Sequence, residues 1–361
     1  MADAAAAAEE PGGAVSTKTV DADGNATVVT VAADNVATAA SPDKQEQDTS
    51  LPGSTHAAYM FVKPHACKEK VQALVAEKLA GFGIAIKGEG LLEASQIDEE
   101  KLIDVHYGAI ANRAVMTPVA ELNVPPSAQE KYEAAFGLSW ASALEQGLVL
   151  NATGAAERLN LDGAGLEKEW RKLTKDVDLI KFGGGFYCGK LSDDAGDFYV
   201  INAFYIAMRA IFTTPPAAIY WYSVEWDASA LSWADFRGKV LGATDPTTAP
   251  DGAIRKAILD DWEALGLAGC PNTGDNGVHG SASPIEGLFE RMNWLSATPE
   301  EDVYGAELIA AGVDAGTIRA WSSDPAVEFE GTKQSLFDLH EDLDAADCTA
   351  KAVAVLAAVR A

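Results

Sequence analysis

Two hydrophobic rhythms alternate along the chain from Ala57 onward. AAYMFVKP (57–64) is an unbroken apolar run closed by Lys63-Pro64 and predicts a strand. Residues 68–81 repeat apolar positions at helical spacing and stop at Gly81, and IAIKGEGLLEAS (84–95) predicts a second strand. Ile97-Asp98-Glu99-Glu100 opens a helix to about Ala111. Much later, AAIYWYSVEW (217–226) lacks alternation, as expected of a central strand covered on both faces. A short helix around Ser232–Phe236, a helix over Ile254–Leu267, a short strand at Gly277-Val278 and a helix opening at Pro284 follow. Residues 298–361 read as mainly helical, with a capping box in Thr298-Pro299-Glu300-Glu301.

Between these patterns lies a segment of different texture, 117–205, which reads as an insertion. It carries Pro125-Pro126, helices around Lys131–Leu144 and Leu166–Asp176, and FGGGFYCGKLSDDAGDFYV, a hairpin turning at Asp193–Asp197. An amphipathic helix within YVINAFYIAMRAIF closes it. Residues 1–55 are rich in Ala, Asp, Thr and Gly, contain no aromatic residue and read as a disordered leader, with a transient strand over Thr27–Ala33; His56 is grouped with that leader.

Composition narrows the function classes. A formal net charge of −27 over 361 residues, with no basic patch, argues against a nucleic-acid partner. It leaves room for a nucleotide site, where a few local cations dominate and bound Mg²⁺ offsets the field. Cys67, Cys188, Cys270 and Cys348 form no C-x-x-C pair, so neither a metal cluster nor a disulfide framework is expected, and a reducing, cytoplasmic setting fits. No apolar run is long enough for a membrane span, and the N-terminus is acidic rather than signal-like.

The densest chemistry is in NGVHGSAS (276–283). His279 stands among small residues just before a strong helix start: Ser283 as N-cap, Pro284 at the first position and Glu286 completing a capping box. Glu290 lies one turn beyond Glu286 on the same helix face. A neutral imidazole is a nucleophile when a carboxylate fixes its other nitrogen, so this arrangement suits a phosphoryl acceptor; it equally describes a capped turn with a surface histidine.

Four fragments in order, AYMFVKP, HYGAIANR (106–113), VLGATDPTTAPDGAIR (240–255) and NGVHGSAS, together with WLSATPEE (294–301), resemble the nucleoside diphosphate kinase family over about 57–116 and 217–301. The resemblance implies an α+β fold, a ferredoxin-like antiparallel sheet covered by helices, as a domain over 56–301 interrupted by the 117–205 insertion and followed by a helical extension over 302–361. It implies γ-phosphoryl transfer from ATP to nucleoside diphosphates through a phosphohistidine on His279, in a ping-pong cycle requiring Mg²⁺ held by the nucleotide phosphates. Glu290 matches the glutamate that orients the imidazole, Ser281 the serine beside it and Tyr107 the tyrosine near the reacting histidine. Lys63 and Asn276 match residues on the sugar hydroxyls, Lys63 also facing the phosphates, and Arg113, Thr244 and Arg255 match phosphate-holding residues. Taken singly, Lys63 is a strand-end lysine, Arg113 a helix C-cap and Thr244-Asp245-Pro246 an ordinary turn.

The chain departs from the family pattern at the mouth of the expected cleft. Val115 stands where a phenylalanine stacks on the base, Gly238 where an arginine holds phosphate (Arg237 and Lys239 flank it), and Ala282 where an acidic residue follows the serine. KAILDDWEALGLAG lengthens the chain between Arg255 and Asn276. These departures keep a second reading open: a catalytically weak nucleotide-binding or scaffold module whose insertion and C-terminal helices dock a partner protein, with homo-oligomer assembly undecided. Gly184, Gly189 and Lys190 nearly spell a phosphate loop, but Leu191 and Asp193-Asp194 follow instead of a hydroxyl residue and a helix, so a hairpin is expected. His65, His106 and His340 have no ligand-spaced partners in the sequence.

Overall fold

Apolar residues from before and after residues 94–217 meet in one antiparallel sheet. The structure is a computed structural model describing residues 55–360 and a short strand pair, Thr19–Val20 with Ala26–Thr27. The disorder expected of 1–55, and the strand over 27–33, otherwise lie outside the described residues. The fold is α+β with antiparallel and mixed sheets. Its described residues divide into a compact unit of Ala94–Ala217 and a second unit built from residues 55–93 and 218–360. The insertion expected over 117–205 lies within the first.

In the second unit, β1 (Thr55–Val62), α1 (Glu69–Gly81) and β2 (Ala85–Glu93) precede the 94–217 unit, and β3 (Ala218–Asp227), α2 (Ile254–Asp260) and β4 (Val278–Gly280) follow it. The sheet order is β4-β1-β3-β2, every pair antiparallel. β1 and β3 are interior, which explains their apolar runs: seven of the eight β1 residues are buried. The two-residue period then separates the faces. Ala58, Met60 and Val62 join Val71, Val75 and Leu79 of α1 and Ile254 and Ile258 of α2 in one core. Tyr59 and Phe61 point the other way and meet Trp294, Tyr59 stacked on it at 5.8 Å. The first strand begins earlier than the leader boundary allowed. His56 is fully buried within β1, packed between Trp226 and Trp233, with Nε2 3.0 Å from Asp344 Oδ1.

On the Tyr59–Phe61 face lies α3 (Pro284–Trp294), capped by the Ser283 hydroxyl as the sequence predicts. Nine of its eleven residues are buried. A Cβ on Gly287 would stand 2.8 Å from the Ala57 carbonyl oxygen, so glycine lets the helix approach the strand. The opposite side of α3 supplies Ile285, Leu288 and Phe289 to a second core, each such burial contributing roughly 1.5–3 kcal/mol. That core is built with α4 (Val303–Ala310), α5 (Ala315–Trp321), a hairpin of β5 (Ala326–Phe329) and β6 (Thr332–Ser335), and α6 (Ala345–Arg360). The hairpin interrupts what the sequence suggested would be helical, and Asp302 rather than Thr298 caps α4. Arg291 binds Asp302 through two hydrogen bonds, 2.6 and 2.9 Å, and donates a third, 2.8 Å, to the Ala57 carbonyl.

The 94–217 unit is described by itself. Its four-stranded sheet pairs Leu179–Gly183, Phe186–Asp193 and Gly196–Ile201 antiparallel, with Val149–Leu150 joining in parallel. The hairpin predicted around Asp193–Asp197 is present, and Gly189 and Lys190 sit inside its first strand. Tyr205 and Arg209, on helix Tyr205–Thr213, both bind the buried Asp104. Among the described residues no helix is long and apolar enough to cross a membrane.

Two outcomes follow from these burials. Arg291→Ala leaves Asp302 as a buried, unpaired carboxylate and is expected to cost about 3–5 kcal/mol in denaturant titrations; a loss below ~1 kcal/mol contradicts the pairing described. His340, fully buried between β6 and α6, donates from Nδ1 to the Leu336 carbonyl, 2.6 Å, and burial pushes its pKa from 6.5 down to about 4. The unfolded chain therefore binds the proton first. The stability held by neutral His340 is complete above pH 6.5 and falls as pH drops towards 4, by ~3 kcal/mol in total. Melting against pH should show this acid step in the wild type and a smaller one in His340→Gln.

Candidate active site

β4 is only three residues long, and its neighbours explain why it exists. Gly277 adopts φ +94°, and a Cβ there would stand 2.7 Å from Ile258; a Cβ on Gly280 would stand 2.7 Å from Leu241. Small residues thus let the strand press into the core while pairing with β1, Val278 opposite Val62 and His279 opposite Phe61. The His279 ring stacks on Phe61 at 4.8 Å, on the face of the sheet that carries α3.

From that position His279 Nε2 lies 2.5 Å from Glu290 Oε1. Glu290 is fully buried and His279 is 6% exposed. The second carboxylate oxygen, Oε2, accepts from the Ser281 hydroxyl. Ser281 Oγ in turn accepts from the Tyr59 amide, 2.9 Å, while the Ser281 amide donates to the Tyr59 carbonyl, 3.1 Å. The β1 ladder therefore continues through a side chain where β4 ends. An imidazole N–H donated from Nε2 to a carboxylate places the lone pair on Nδ1, the tautomer a nucleophilic histidine needs. Burial, and then the nearby Glu290, hold the Tyr59 phenol well above its ordinary range, so it stays neutral beside the pair.

Several of the other predicted residues converge around β4. Lys63, at the end of β1 and 8% exposed, donates its amide to the Gly277 carbonyl, 2.9 Å. Asn276 is fully buried; its Nδ2 donates to the carbonyls of Thr244, 3.1 Å, and Thr273, 3.4 Å. Its Oδ1 is buried without a hydrogen-bond partner among the described residues. Thr244 is itself exposed. Arg255, at the start of α2, is buried and gives Nε and Nη2 to the Val278 carbonyl and Nη1 to the Gly242 carbonyl, 3.0–3.3 Å. Its guanidinium thereby braces the strand that carries His279.

Tyr107 and Arg113 belong to the 94–217 unit. Arg113 Nη1 donates to the Gly184 carbonyl, 2.6 Å, with the guanidinium 4.8 Å over the Phe186 ring, and burial lowers its pKa. Tyr107 packs edge-on to His106 at 4.7 Å, and it and Val115 adjoin the core of that unit. Of the other departures, Arg237 binds Glu341 and Asp342 at 2.8 and 2.7 Å, Lys239 binds Asp235, and a Cβ at Gly238 would meet nothing within 4 Å. The lengthened KAILDDWEALGLAG segment folds as α2 and a short helix, Trp262–Leu265, against the α1 core.

Within the second unit, His65 and Glu286 are side chains near β4 that were not predicted for the site, and Arg237 was noted only as a flank of Gly238. His65 accepts the Gly277 amide at Nε2, 3.2 Å, which places its proton on Nδ1, 3.5 Å from Asp275 Oδ1. Burial pulls its pKa down, Asp275 pulling it up and Lys63 down. Glu286 is buried one turn before Glu290, and Arg237 is among its charged neighbours. Its i, i+4 relation to Glu290 was the available signal for Glu286, and for Arg237 its place beside Gly238; His65 had none, because its partner Gly277 lies 212 residues away.

No protein-family model matches the chain, and no curated protein does. Among solved structures it is similar to an apo nucleoside diphosphate kinase from Encephalitozoon cuniculi, at 12% identity over 68% of this chain and 92% of that one, TM-score 0.29. It is also similar to an NDP kinase from Pyrobaculum aerophilum, at 16% identity over 68% of this chain and 98% of that one, TM-score 0.29.

Proposed function

We propose that the chain is a phosphotransferase of the nucleoside diphosphate kinase type, with His279 as the phosphoryl acceptor. The observation that carries this reading is the buried Ser281–Glu290–His279 chain, which holds Nε2 as a donor and puts the lone pair on Nδ1. In the first half-reaction Nδ1 attacks the γ-phosphorus of ATP, the N–P bond forms as the bond to the β,γ-bridging oxygen breaks, and ADP leaves. In the second, a diphosphate's terminal oxygen attacks the same phosphorus and the N–P bond breaks. No oxidant or net proton source is needed. Glu290 stabilises the charge that gathers on the imidazole, and the transfer relies on positioning and electrostatics. Lys63 and Thr244, with Mg²⁺ brought in on the nucleotide, are assigned to the phosphates, and Asn276 Oδ1, a buried acceptor, to a sugar hydroxyl. Tyr107 and Arg113 are assigned by resemblance alone. The sheet order, fourth–first–third–second with helices joining first to second and third to fourth, supports a ferredoxin-like arrangement for the domain.

One observation favours the second reading, a weak nucleotide-binding or scaffold module. The guanidiniums of Arg113 and Arg255 donate to backbone carbonyls. If those bonds persist with nucleotide bound, phosphate is held by fewer cations and turnover is slow.

Incubation with γ-labelled ATP and Mg²⁺ should give acid-labile label on the wild type and none on His279→Ala; equal labelling of the two, or none on the wild type, overturns the acceptor assignment. Glu290→Gln should keep the fold and slow labelling by on the order of 10²- to 10⁴-fold, the range seen when an imidazole loses its orienting carboxylate. Steady turnover of several diphosphates removes the scaffold-only reading, and nucleotide binding without transfer establishes it.

A further inference from the structure

The ladder between β4 and β1 is completed by a side chain at each end. In a regular antiparallel ladder every second facing pair exchanges two backbone bonds. Continuing the register of β4, Ser281 faces Tyr59 and Gly277 faces Lys63. At the first pair the Tyr59 amide donates to the Ser281 hydroxyl instead of a carbonyl. At the second, the Lys63 amide donates to the Gly277 carbonyl, 2.9 Å, but the chain then turns away through Pro64–Ala66, one turn of 3₁₀ helix. The Lys63 carbonyl accepts the Ala66 amide, 2.9 Å, and the Gly277 amide donates to His65 Nε2, 3.2 Å. An imidazole thus stands in for a backbone carbonyl. Unlike a carbonyl or a hydroxyl, it stops accepting once it takes a proton.

The amide that His65 holds belongs to the peptide unit joining Asn276 to Gly277. Asn276 is fully buried, and its Oδ1 has no hydrogen-bond partner among the described residues. The turn before it is closed on itself: the Asn272 amide donates to the Asp275 carbonyl, 3.2 Å, and Asn272 Oδ1 accepts the Asp275 amide, 3.1 Å. On the other side Gly277 sits at φ +94°, with no room for a Cβ against Ile258. A rotation of the 276–277 peptide is therefore passed to the Asn276 side chain.

We propose that His65 is a positioning residue for nucleotide binding: its neutral Nε2 holds the 276–277 peptide so that Asn276 Oδ1 is set for a sugar hydroxyl, and protonation of His65 releases that hold. The inference rests on the nucleotide reading given above. In the imidazolium, Nε2–H meets Gly277 N–H, donor against donor, while Nδ1–H keeps Asp275, whose Oδ1 is 3.5 Å away. The charged groups around the ring are Asp275 on the turn and Lys63 at the end of β1. Burial lowers the His65 pKa below 6.5; Asp275, through its carboxylate and its backbone, opposes this, and Lys63 adds to it. The hold is therefore complete above pH 6.5 and is lost as pH falls through the lower folded value.

NMR of the full chain without nucleotide follows the His65 ring and the Gly277 amide together. The amide should shift, and lose its protection from exchange, at the midpoint of the His65 ring, below pH 6.5. His65→Gln offers a carboxamide oxygen in place of Nε2 and does not titrate, so the step should vanish while protection remains. A Gly277 amide that ignores the His65 midpoint, or that keeps the same step in His65→Gln, overturns the role. Calorimetry with ADP should show wild-type affinity falling across that midpoint by about three- to tenfold more than in His65→Gln, the size of one neutral hydrogen bond. Pyrophosphate, which has no sugar, should bind the two alike. Equal ADP profiles for wild type and His65→Gln, or the same difference with pyrophosphate, overturn the link to Asn276. Absence of ADP binding to the wild type at every pH sinks the nucleotide reading and that link with it, whereas the Gly277 step stands or falls without nucleotide.

Discussion

A helix buried on nine of its eleven positions has to satisfy every charge it carries, and α3 carries three. Each is settled differently. Arg291 is neutralised by Asp302 and bonded to the Ala57 carbonyl, which joins the helix to β1 and to the start of α4. Glu290 is answered by His279 and Ser281, which joins it to β4 and to Tyr59 of β1. Burial, and then Glu290, push the Glu286 carboxyl well above the ordinary carboxylate range, so its charge is the hardest of the three to carry. Unpaired, each would cost several kcal/mol, so the sheet, the helix and the C-terminal elements are locked into one arrangement by the need to pair them.

The same constraint makes the histidine geometry rigid. His279 is held by a ladder of three residue pairs, by the Phe61 ring and by a carboxylate whose other oxygen is occupied. Arg255 braces β4 from the opposite side through the Val278 carbonyl. Preorganisation of this kind fixes the imidazole tautomer without any bound partner. The C-terminal elements are part of that scaffold, since Ile285, Leu288 and Phe289 have their core only with them.

Much of the architecture was legible because its signals are local. The unbroken runs at 57–62 and 217–226 are interior strands, and Ser283-Pro284 starts a helix where capping chemistry requires one. The 186–201 hairpin follows from turn residues. The failures were also physical. His56 was grouped with a polar leader because its burial comes from Trp226, Trp233 and Asp344, far along the chain. The β5–β6 hairpin was missed because four-residue strands carry too little periodicity to distinguish from helix ends.

By itself the sequence determined what rides on spacing along one element: the cap at Ser283, the shared face of Glu286 and Glu290, and small residues around His279. Tertiary structure alone decided what each polar group faces. It turned Arg255 onto two backbone carbonyls, gave Arg237 to Glu341 and Asp342, and brought His65 to the Gly277 amide. Spacing is a property of a local helix or strand, whereas a partner is set by which distant surface the packing of the core brings within about 3 Å.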